Sequence, residues 1–265
     1  MKRCCLCVVI ALVATAAAVP ADDKKDGPIA PKETIKLFNG KDLSGLTPWL
    51  KDAKNEESKV FTVHDGVIHV SGMPMGYLQT DKEYQDYHLV VEFKWGKETH
   101  GAKGVRNSGV LLNKIGPDRL WPCAIECQVA QGCVGDLIAI GGKDADGKPF
   151  PLQFTSETAI GADKHPRWKK GGEPRTFKGG QQWWSLHQES FKEVLDARGK
   201  DDVESPLGEW TKLEVINADK KLTIKVNGTV VNEAYDVSPP AGRILLQSEG
   251  FEILFRTFEL HPLKK

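Results

Sequence analysis

The segment WPCAIECQVAQ, residues 121–131, places a carboxylate and an amide in a pattern typical of a β-strand. Side chains alternate between the two faces of a strand, so Glu126 and Gln128 share one face while Ile125 and Cys127 share the other. A single carboxylate can act as a general base, whereas direct hydrolysis of a glycosidic bond ordinarily uses two. The segment therefore favours a reaction that needs only one acidic residue at this place.

The elements that would position these residues are short strands along the whole chain. Alternating apolar residues, bounded by Gly, Asn and Asp, predict an all-β sandwich or jelly roll. Asp65-Gly66 predicts a hairpin turn, and Asn227-Gly228 predicts a hairpin turn of type I′. The predicted strands are 60–63, 67–70, 87–95, 108–112, 212–216, 222–226, 229–231, 243–247 and 251–256.

Periodicity fails between about residues 141 and 184, where Gly, Pro and Lys are dense. A long irregular segment in a compact domain is usually functional or mobile, and we expect this one to cover one sheet. A short helix is predicted at 190–197, ended by Arg198-Gly199. We therefore expect one domain over residues 32–265, with an irregular insertion at about 141–190.

The N-terminus has the composition of an export signal. Lys2 and Arg3 precede an apolar run that ends in small residues, which predicts a signal peptide over residues 1–21 and a periplasmic or extracellular protein. The run is too short and too early to predict a transmembrane segment. Lys plus Arg and Asp plus Glu each number 36, so the formal net charge is zero. Without a clustered positive charge, nucleic acid is not an expected partner.

Three of the six cysteines follow the predicted signal: Cys123, Cys127 and Cys133. We expect small buried hydrophobic residues, and a bridge between Cys127 and Cys133 across a bend is left open. A zinc site is not predicted, because no C-x-x-C pair accompanies these three cysteines. Any metal site would have to be assembled from distant strands.

Seven short segments follow one another in a specific order: LFNGKDLSG at 37–45, FTVHDGVIHVSG at 61–72, RNSGVLL at 106–112, IECQV at 125–129, GEWTKLEVI at 208–216, VNGTVVN at 226–232 and GRILLQSEGFEILFRTFEL at 242–260. Together they resemble the 3-keto-disaccharide hydrolase domain family, over about residues 35–263. The resemblance implies a concanavalin A-like jelly-roll sandwich of two antiparallel sheets and export by bacteria. It also implies 3-keto-α-glucoside 1,2-lyase and 3-keto-2-hydroxyglucal hydratase activity. Trp210-Thr211 departs from the usual Trp-Asn, and the insertion at 141–190 is longer than in compact members.

Glucanases with this jelly roll typically carry E-x-D-x-x-E, where this chain has Glu126, Gln128 and Gln131. Conventional hydrolysis of an unoxidised glycoside is therefore disfavoured. A ketone at C3 acidifies the hydrogen on C2, so the C1 substituent can leave by elimination without an oxocarbenium ion. Water can then add across the enone.

The resemblance thus implies an oxidised saccharide as substrate and a base for its C2 hydrogen, for which Glu126 is the candidate. Lys94 or Arg106 would hold the enolate oxygen, and His100 would act as the acid. Each has an ordinary alternative, since a strand Glu often pairs with a Lys and a loop His is often simply exposed. No G-x-G-x-x-G motif is found, so the oxidation would belong to a separate sugar 3-dehydrogenase. No cofactor is expected in this chain, and a metal ion is left open.

Other polar and aromatic residues are candidates for substrate binding. Gly109 would leave space on the sheet for a ligand. The tryptophans could stack on a sugar ring, with core packing as the equal alternative. A non-catalytic carbohydrate-binding module is the main alternative function. The candidate binding residues are Gln128, Asn107, Ser108, Gln247, Glu249, Trp121, Trp183 and Trp184.

Overall fold

The computed structural model describes residues 27–52 and 57–264, so the predicted signal peptide lies outside the described residues. Within them, eighteen strands form two antiparallel sheets, and one short helical turn precedes β3. No helix in this part of the chain is long and apolar enough to cross a bilayer. The elements are β1 (Ile35–Lys36), β2 (Leu46–Leu50), α1 (Glu57–Val60), β3 (Phe61–His64), β4 (Val67–Val70), β5 (Gly76–Thr80), β6 (Tyr87–Trp95), β7 (Asn107–Ile115), β8 (Cys123–Ala130), β9 (Leu137–Ile140), β10 (Gln153–Ile160), β11 (Pro166–Trp168), β12 (Glu173–Phe177), β13 (Gly180–Gln182), β14 (Thr211–Ala218), β15 (Lys221–Val226), β16 (Thr229–Ser238), β17 (Arg243–Ser248) and β18 (Ile253–Pro262).

The two sheets differ in size. The small sheet has seven strands in the order β13-β9-β8-β7-β17-β5-β2. The large sheet has eleven: the path β11-β10-β16-β15-β14-β6-β18-β4-β3, with β1 paired to β18 and β12 paired to β10. Neighbours that are distant in sequence, such as β6 beside β14 and β18, require the long crossovers of a jelly roll. The predicted all-β sandwich of two antiparallel sheets is confirmed.

The core lies between the sheets and follows from alternation in the strands. Ile125 and Cys127 of β8 belong to the same buried cluster as Leu89 and Val91 of β6. Because these residues come from different sheets, their side chains fill the space between them. Every second residue of a strand in this sandwich therefore points away from the core, on one of two outer faces.

The predicted hairpin turns are present. Asp65 and Gly66, between β3 and β4, have φ of 52° and 74°, and Asn227 and Gly228, between β15 and β16, have φ of 47° and 84°. Two successive positive φ angles define a type I′ turn, which Asp, Asn and Gly tolerate best.

The segment at 141–184 is more regular than predicted. It contains β10 to β13, and β10 pairs with β16 as part of the large sheet. The strand β12 is exposed at four of its five residues, so it lacks the alternation by which a strand is recognised. The helix predicted at 190–197 is wrong, since only turns occur there. Asp196 has a φ of 57° and donates its N–H to Gln131, so tertiary contacts override the local helix preference.

The three described cysteines are free and buried. The bridge left open between Cys127 and Cys133 is not formed. Cys127 faces the core from β8, whereas Cys133 lies in the turn that leads to β9.

Candidate active site

Glu126 lies on the face of the small sheet that points away from the core. Its neighbours Ile125 and Cys127 belong to the core, so alternation directs Glu126 to the other side of β8. Only 5% of Glu126 is exposed. We call this side the outer face of the small sheet. Its apolar floor consists of Tyr77, Leu111, Ala124 and Leu245.

Gly109 brings Glu126 together with Gln247. In the β7–β8 register, Gly109 is opposite Gln128 and Leu111 is opposite Glu126. A Cβ atom on Gly109 would lie 2.2 Å from Gln247 Oε1 and 2.4 Å from Glu126 Oε1. The space that the sequence led us to assign to a ligand is therefore filled by these two side-chain oxygens, and a larger residue would displace them.

Gln128 orients Glu126. With its amide nitrogen facing the surrounding acceptors, Gln128 donates to the Ser108 carbonyl oxygen at 2.8 Å and to Glu126 Oε1 at 3.0 Å. Asn107 Oδ1 lies 3.3 Å from the same nitrogen. The predicted amide thus lies beside the predicted carboxylate and fixes the position of one of its oxygens.

Two carboxyl groups interact electrostatically on this face. Burial raises the pKa of Glu126 well above its usual range, and the negative charge of Glu249 raises it further. Burial also raises the pKa of Glu249, although a hydrogen bond from Trp121 opposes the shift. Among residues 27–52 and 57–264, no cation contributes to the pKa of Glu126. Both carboxyl groups therefore hold a proton more tightly than an ordinary carboxyl does, and their titrations are coupled.

Gln247 presents an unpaired acceptor. Its Oε1 atom is buried and has no hydrogen-bond partner among the described residues. A buried polar atom without a partner is costly, so this atom is suited to accept a hydrogen bond from a ligand hydroxyl.

A second polar group on the same face was missed from the sequence. Lys114 Nζ lies 2.6 Å from Asp118 Oδ1 and 3.4 Å from Gln79 Oε1. The Tyr77 hydroxyl donates to Asp118 Oδ1 at 2.9 Å, and Trp49 stacks on the Tyr77 ring at 5.2 Å. Burial raises the pKa of Asp118, but the hydrogen bonds from Lys114 and Tyr77 outweigh it and hold that pKa below its ordinary value.

A bulge explains why Lys114 was missed. Strict alternation from Leu112, a core residue, would direct Lys114 into the core as well. Asn113 instead has a φ of 54° and lies where the pairing of β7 shifts register. The bulge reverses the phase of the strand, so that Lys114 faces Gln79 on the outer face.

Lys94 lies on the opposite side of the molecule. Val91 and Phe93 of β6 face the core, so Lys94 points outward from the large sheet. Its Nζ is 4.9 Å from the centre of the Trp210 ring. The structure therefore does not bring this predicted enolate-binding residue to Glu126, because the large sheet and the core separate them.

Arg106 and His100 are engaged elsewhere. Arg106 pairs with Asp196 at 2.7 Å and donates to the Gly96 carbonyl oxygen at 2.9 Å. The His100 ring nitrogen Nε2 lies 2.8 Å from the Ser71 carbonyl oxygen. Within the described part of the chain, neither residue has a hydrogen bond or ion pair with Glu126.

The remaining candidates divide between the outer face and the interior. Ser108 is buried on the core side of β7 and donates to the Gln247 carbonyl oxygen at 3.0 Å. Trp184 belongs to the core. Trp183 is stacked between His165 and His187, at ring distances of 4.0 and 3.8 Å. The candidates that share the outer face with Glu126 are Asn107, Gln128, Gln247, Glu249 and Trp121, which is 49% exposed.

The outer face offers amides and carboxyls, and these suit proton transfer and hydroxyl binding. A separate group of metal-ligating atoms in the described residues consists of Cys133, Asp136 and His187. It contains neither Glu126 nor Glu249.

Comparison with solved structures gives the fold. A "putative glycosyl hydrolase" from Parabacteroides distasonis is 19% identical, with a TM-score of 0.52 over 88% of this chain and 94% of that chain. A carbohydrate-binding module from Bacillus subtilis is 8% identical, with a TM-score of 0.45 over 81% and 94% of the two chains. A β-glucanase from Bacillus licheniformis is 8% identical, with a TM-score of 0.45 over 88% and 99%.

Comparison with protein families is more specific. No curated protein matches the chain. The family model described as a 3-keto-alpha-glucoside-1,2-lyase-like domain matches residues 33–261, which agrees with the resemblance seen in the sequence and supports a carbohydrate-active function. The chain therefore belongs to the 3-keto-alpha-glucoside-1,2-lyase-like domain family.

Proposed function

We propose that the protein cleaves 3-keto-glycosides by elimination across C1 and C2, with Glu126 as the base, and hydrates the resulting 3-keto-2-hydroxyglucal. The placement of Glu126 carries the proposal. It is buried on the outer face of the small sheet, and its pKa is raised by burial and by the charge of Glu249. A carboxylate with a raised pKa is a stronger base than an ordinary one, which suits a weakly acidic hydrogen next to a ketone.

The elimination requires one base and one proton donor. The Glu126 carboxylate takes the proton from C2, the electron pair of that C–H bond forms the C1=C2 double bond, and the C1–O bond breaks. Its electrons go to the departing oxygen, which must receive a proton. Glu249 would fill that role in place of His100, because it interacts with Glu126 on the same face, whereas His100 is bonded to the Ser71 carbonyl oxygen. Addition of water, with hydroxide at C1 and a proton at C2, then gives a free 3-keto sugar.

Recognition of the substrate would use the two polar groups of the same face. Gln247 Oε1 would accept a hydrogen bond from a sugar hydroxyl beside Glu126. Lys114 and Asp118 would bind a more distant part of the substrate across the apolar floor, and the Tyr77–Trp49 stack borders that end. Such a mixture of apolar surface and few fixed polar groups is usual in ligand sites.

The chemistry also requires a source of the substrate. The ketone at C3 is made by an oxidation, and we propose that a separate sugar 3-dehydrogenase supplies it. The Lys2-Arg3 leader supports export, with both steps then using saccharides outside the cytoplasm. N-terminal sequencing of the protein recovered from its native compartment tests the export.

The test compares a 3-keto-glucoside with its unoxidised parent. Enone absorbance and released aglycone are followed for the wild type, for Glu126→Gln and for Glu92→Gln as a matched control. Glu92 is also a strand glutamate, but it pairs with Arg256 on the outer face of the large sheet. We expect the wild type to cleave the 3-keto-glucoside and to leave the unoxidised parent intact. The rate of Glu126→Gln should be lower than that of the wild type by about 100-fold or more, which is typical of the loss of a general base. Glu92→Gln should retain its activity.

Two outcomes would contradict the proposal in different ways. Reversible binding of the unoxidised glycan by both the wild type and Glu126→Gln, without turnover of either compound, would indicate a binding module. Cleavage of the unoxidised parent would indicate conventional hydrolysis with Glu126 and Glu249 as the carboxyl pair.

A further inference from the structure

A buried group of metal-ligating side chains lies beside the turn between β8 and β9. Cys133 and Asp136 belong to that turn, and His187 comes from the segment after β13. Their ligand atoms, a thiol sulfur, a carboxylate oxygen and a ring nitrogen, all lie within 4.8 Å of one another. Because His187 is 54 residues from Cys133, no spacing motif could reveal the group in the sequence.

His187 is oriented as a ligand would be. Its Nε2 atom lies 3.2 Å from Cys133 Sγ and 4.0 Å from Asp136 Oδ2. Its Nδ1 atom lies 3.3 Å from the Gln188 carbonyl oxygen. A proton on Nδ1 donates to that carbonyl and leaves the lone pair of Nε2 facing the thiol and the carboxylate. Metal-binding histidines are commonly fixed by the same kind of backbone contact.

Asp136 is also held from behind. The Trp184 N–H donates to Oδ1 at 2.6 Å, and the Gln181 amide donates to Oδ2 at 2.7 Å. These bonds fix the carboxylate and leave its remaining lone pairs available to a cation. Carboxylate ligands of metals are commonly hydrogen-bonded in this way.

The charges of the group fit a divalent cation. A thiolate and a carboxylate carry two negative charges, and a neutral imidazole carries none, so one divalent ion makes the buried group neutral. Arg167 is close by and donates to the His187 carbonyl oxygen at 2.7 Å. Its charge is already paired with Asp163, also at 2.7 Å. Neutrality matters because an unpaired charge in the interior is costly.

We propose that Cys133, Asp136 and His187 bind one zinc ion. A thiolate, an imidazole and a carboxylate are a typical zinc donor set, and tetrahedral coordination places two such ligand atoms about 3.3–3.6 Å apart. The observed Nε2–Sγ and Nε2–Oδ2 separations of 3.2 and 4.0 Å lie on either side of that range, so binding requires the carboxylate to approach the histidine by about 0.4–0.7 Å. A cavity of about 290 Å³ is lined by Gly132 and Gln188, the chain neighbours of Cys133 and His187, and by Phe191, and we expect a water to complete the coordination as the fourth ligand.

The ion would join the β8–β9 turn to the segment that follows β13. Both parts lie outside the regular strands, so a metal bridge would stabilise them against local unfolding. The inference is independent of the proposed function, because no hydrogen bond joins any of the three ligands to Glu126.

Cobalt substitution of the full protein tests the site. Wild-type protein is stripped of metal with a chelator and titrated with Co²⁺, which gives a thiolate-to-cobalt charge-transfer band only when a cysteine is bound. We expect the band to saturate at one cobalt per chain and to disappear when one equivalent of Zn²⁺ is added. The band should be absent in Cys133→Ser and present in Cys123→Ser, a control for loss of another buried thiol.

A second pair of variants tests the histidine. We expect His187→Gln to weaken zinc binding by about 100-fold or more, since loss of outer partners alone costs 10–100-fold. The control His165→Gln alters the other face of the same Trp183 stack and should bind zinc normally. Absence of the cobalt band in wild type would overturn the site, as would a band that persists in Cys133→Ser. The cobalt spectra of the wild type and of the two cysteine variants test the zinc site even if His187→Gln does not fold.

Discussion

Gly109 connects the sequence to the geometry of the site at the scale of one residue. Its missing side chain lets the Glu126 and Gln247 oxygens approach the strand, where a Cβ atom would meet both of them. These oxygens are the ends of flexible side chains, so a small addition would move them without moving the backbone. A substitution at this position should therefore reduce activity strongly while changing the free energy of unfolding little.

We expect Gly109→Ala to lower kcat/KM for a 3-keto-glucoside by about 100-fold, because a displacement of about 1 Å costs that much when a catalytic group must be aligned. The free energy of unfolding should change by less than about 1 kcal/mol, since alanine also reduces the freedom of the unfolded chain. Urea unfolding and steady-state kinetics measure the two effects.

Gly179→Ala is the matched control for this variant. A Cβ atom there would meet nothing within 4 Å. Its activity should equal that of the wild type. If Gly109→Ala were as active as Gly179→Ala, the alignment of Glu126 and Gln247 would have no part in turnover.

The raised pKa of Glu126 has a consequence for stability. The folded protein holds this proton more tightly than the unfolded chain, whose ordinary pKa is 4.5. The protonated group therefore contributes stability that is fully present below pH 4.5 and is lost as the pH rises through the raised value. Glu126→Gln has no such proton, so its stability relative to the wild type should increase across that pH range, by up to about 1.4 kcal/mol per pH unit.

Urea unfolding of both proteins between about pH 4 and pH 8 measures this difference. A difference that stays constant with pH would show that Glu126 titrates normally and is not the buried base described here. Glu92→Gln is again the control. Its carboxyl has a pKa lowered chiefly by Arg256, so its pH dependence has the opposite sign and lies below the ordinary pKa.

At the scale of the element, alternation predicted the strands and the core side of each. It placed Ile125 and Cys127 inside and Glu126 outside, as the structure has them. Alternation cannot say which of the two outer faces a residue joins, because that depends on the sheet to which the strand belongs. Lys94 and Glu126 are both directed outward, yet they lie on different sheets.

The bulge in β7 shows a second limit of sequence patterns. Asn113 takes a left-handed conformation and bonds in the interior, where its amide donates to the Pro239 carbonyl oxygen at 2.9 Å. Asparagine tolerates that conformation better than most residues, but one Asn in a strand is too weak a signal to predict a change of phase. The strand predicted from the sequence ends at Leu112, and strict alternation continued for two more residues would have directed Lys114 into the core.

The short strands β11 to β13 show a third limit. These strands form by pairing with β9 and β10 and have no periodic apolar face of their own. Contacts between parts of the chain far apart in sequence also assemble the Cys133–Asp136–His187 group. Neither could be found from spacing, since each depends on the completed fold.

At the scale of the whole molecule, the sandwich has two outer faces, and only one is proposed to do chemistry. The outer face of the large sheet also has a charged and aromatic surface, with Lys94 and Arg256 against Trp210. A cavity of about 660 Å³ there is lined by Lys94 and Arg106, both candidates from the sequence. A comparison of lysines on the two faces therefore tests which one binds the substrate.

We expect Lys114→Met to lower kcat/KM for a 3-keto-glucoside by about 10-fold or more, because the substitution removes the charge that holds Asp118 in place. A factor of 10 corresponds to a loss of about 1.4 kcal/mol of binding free energy. Methionine keeps the apolar stem of the lysine and so limits the loss of packing. The effect should appear mainly in KM, since Lys114 is proposed to bind a part of the substrate distant from the reacting bond. Lys94→Met should have a kcat/KM within about 2-fold of the wild type. Its contact with the half-buried Trp210 contributes about 0.5–1 kcal/mol or somewhat more to stability and does not touch the substrate site proposed on the small sheet. Steady-state kinetics below the unfolding temperature of each variant gives the answer, and Asp118→Asn, which keeps the lysine, separates loss of the pair from loss of the charge. A larger loss for Lys94→Met than for Lys114→Met would move the substrate site to the large sheet and leave Glu126 without its proposed role.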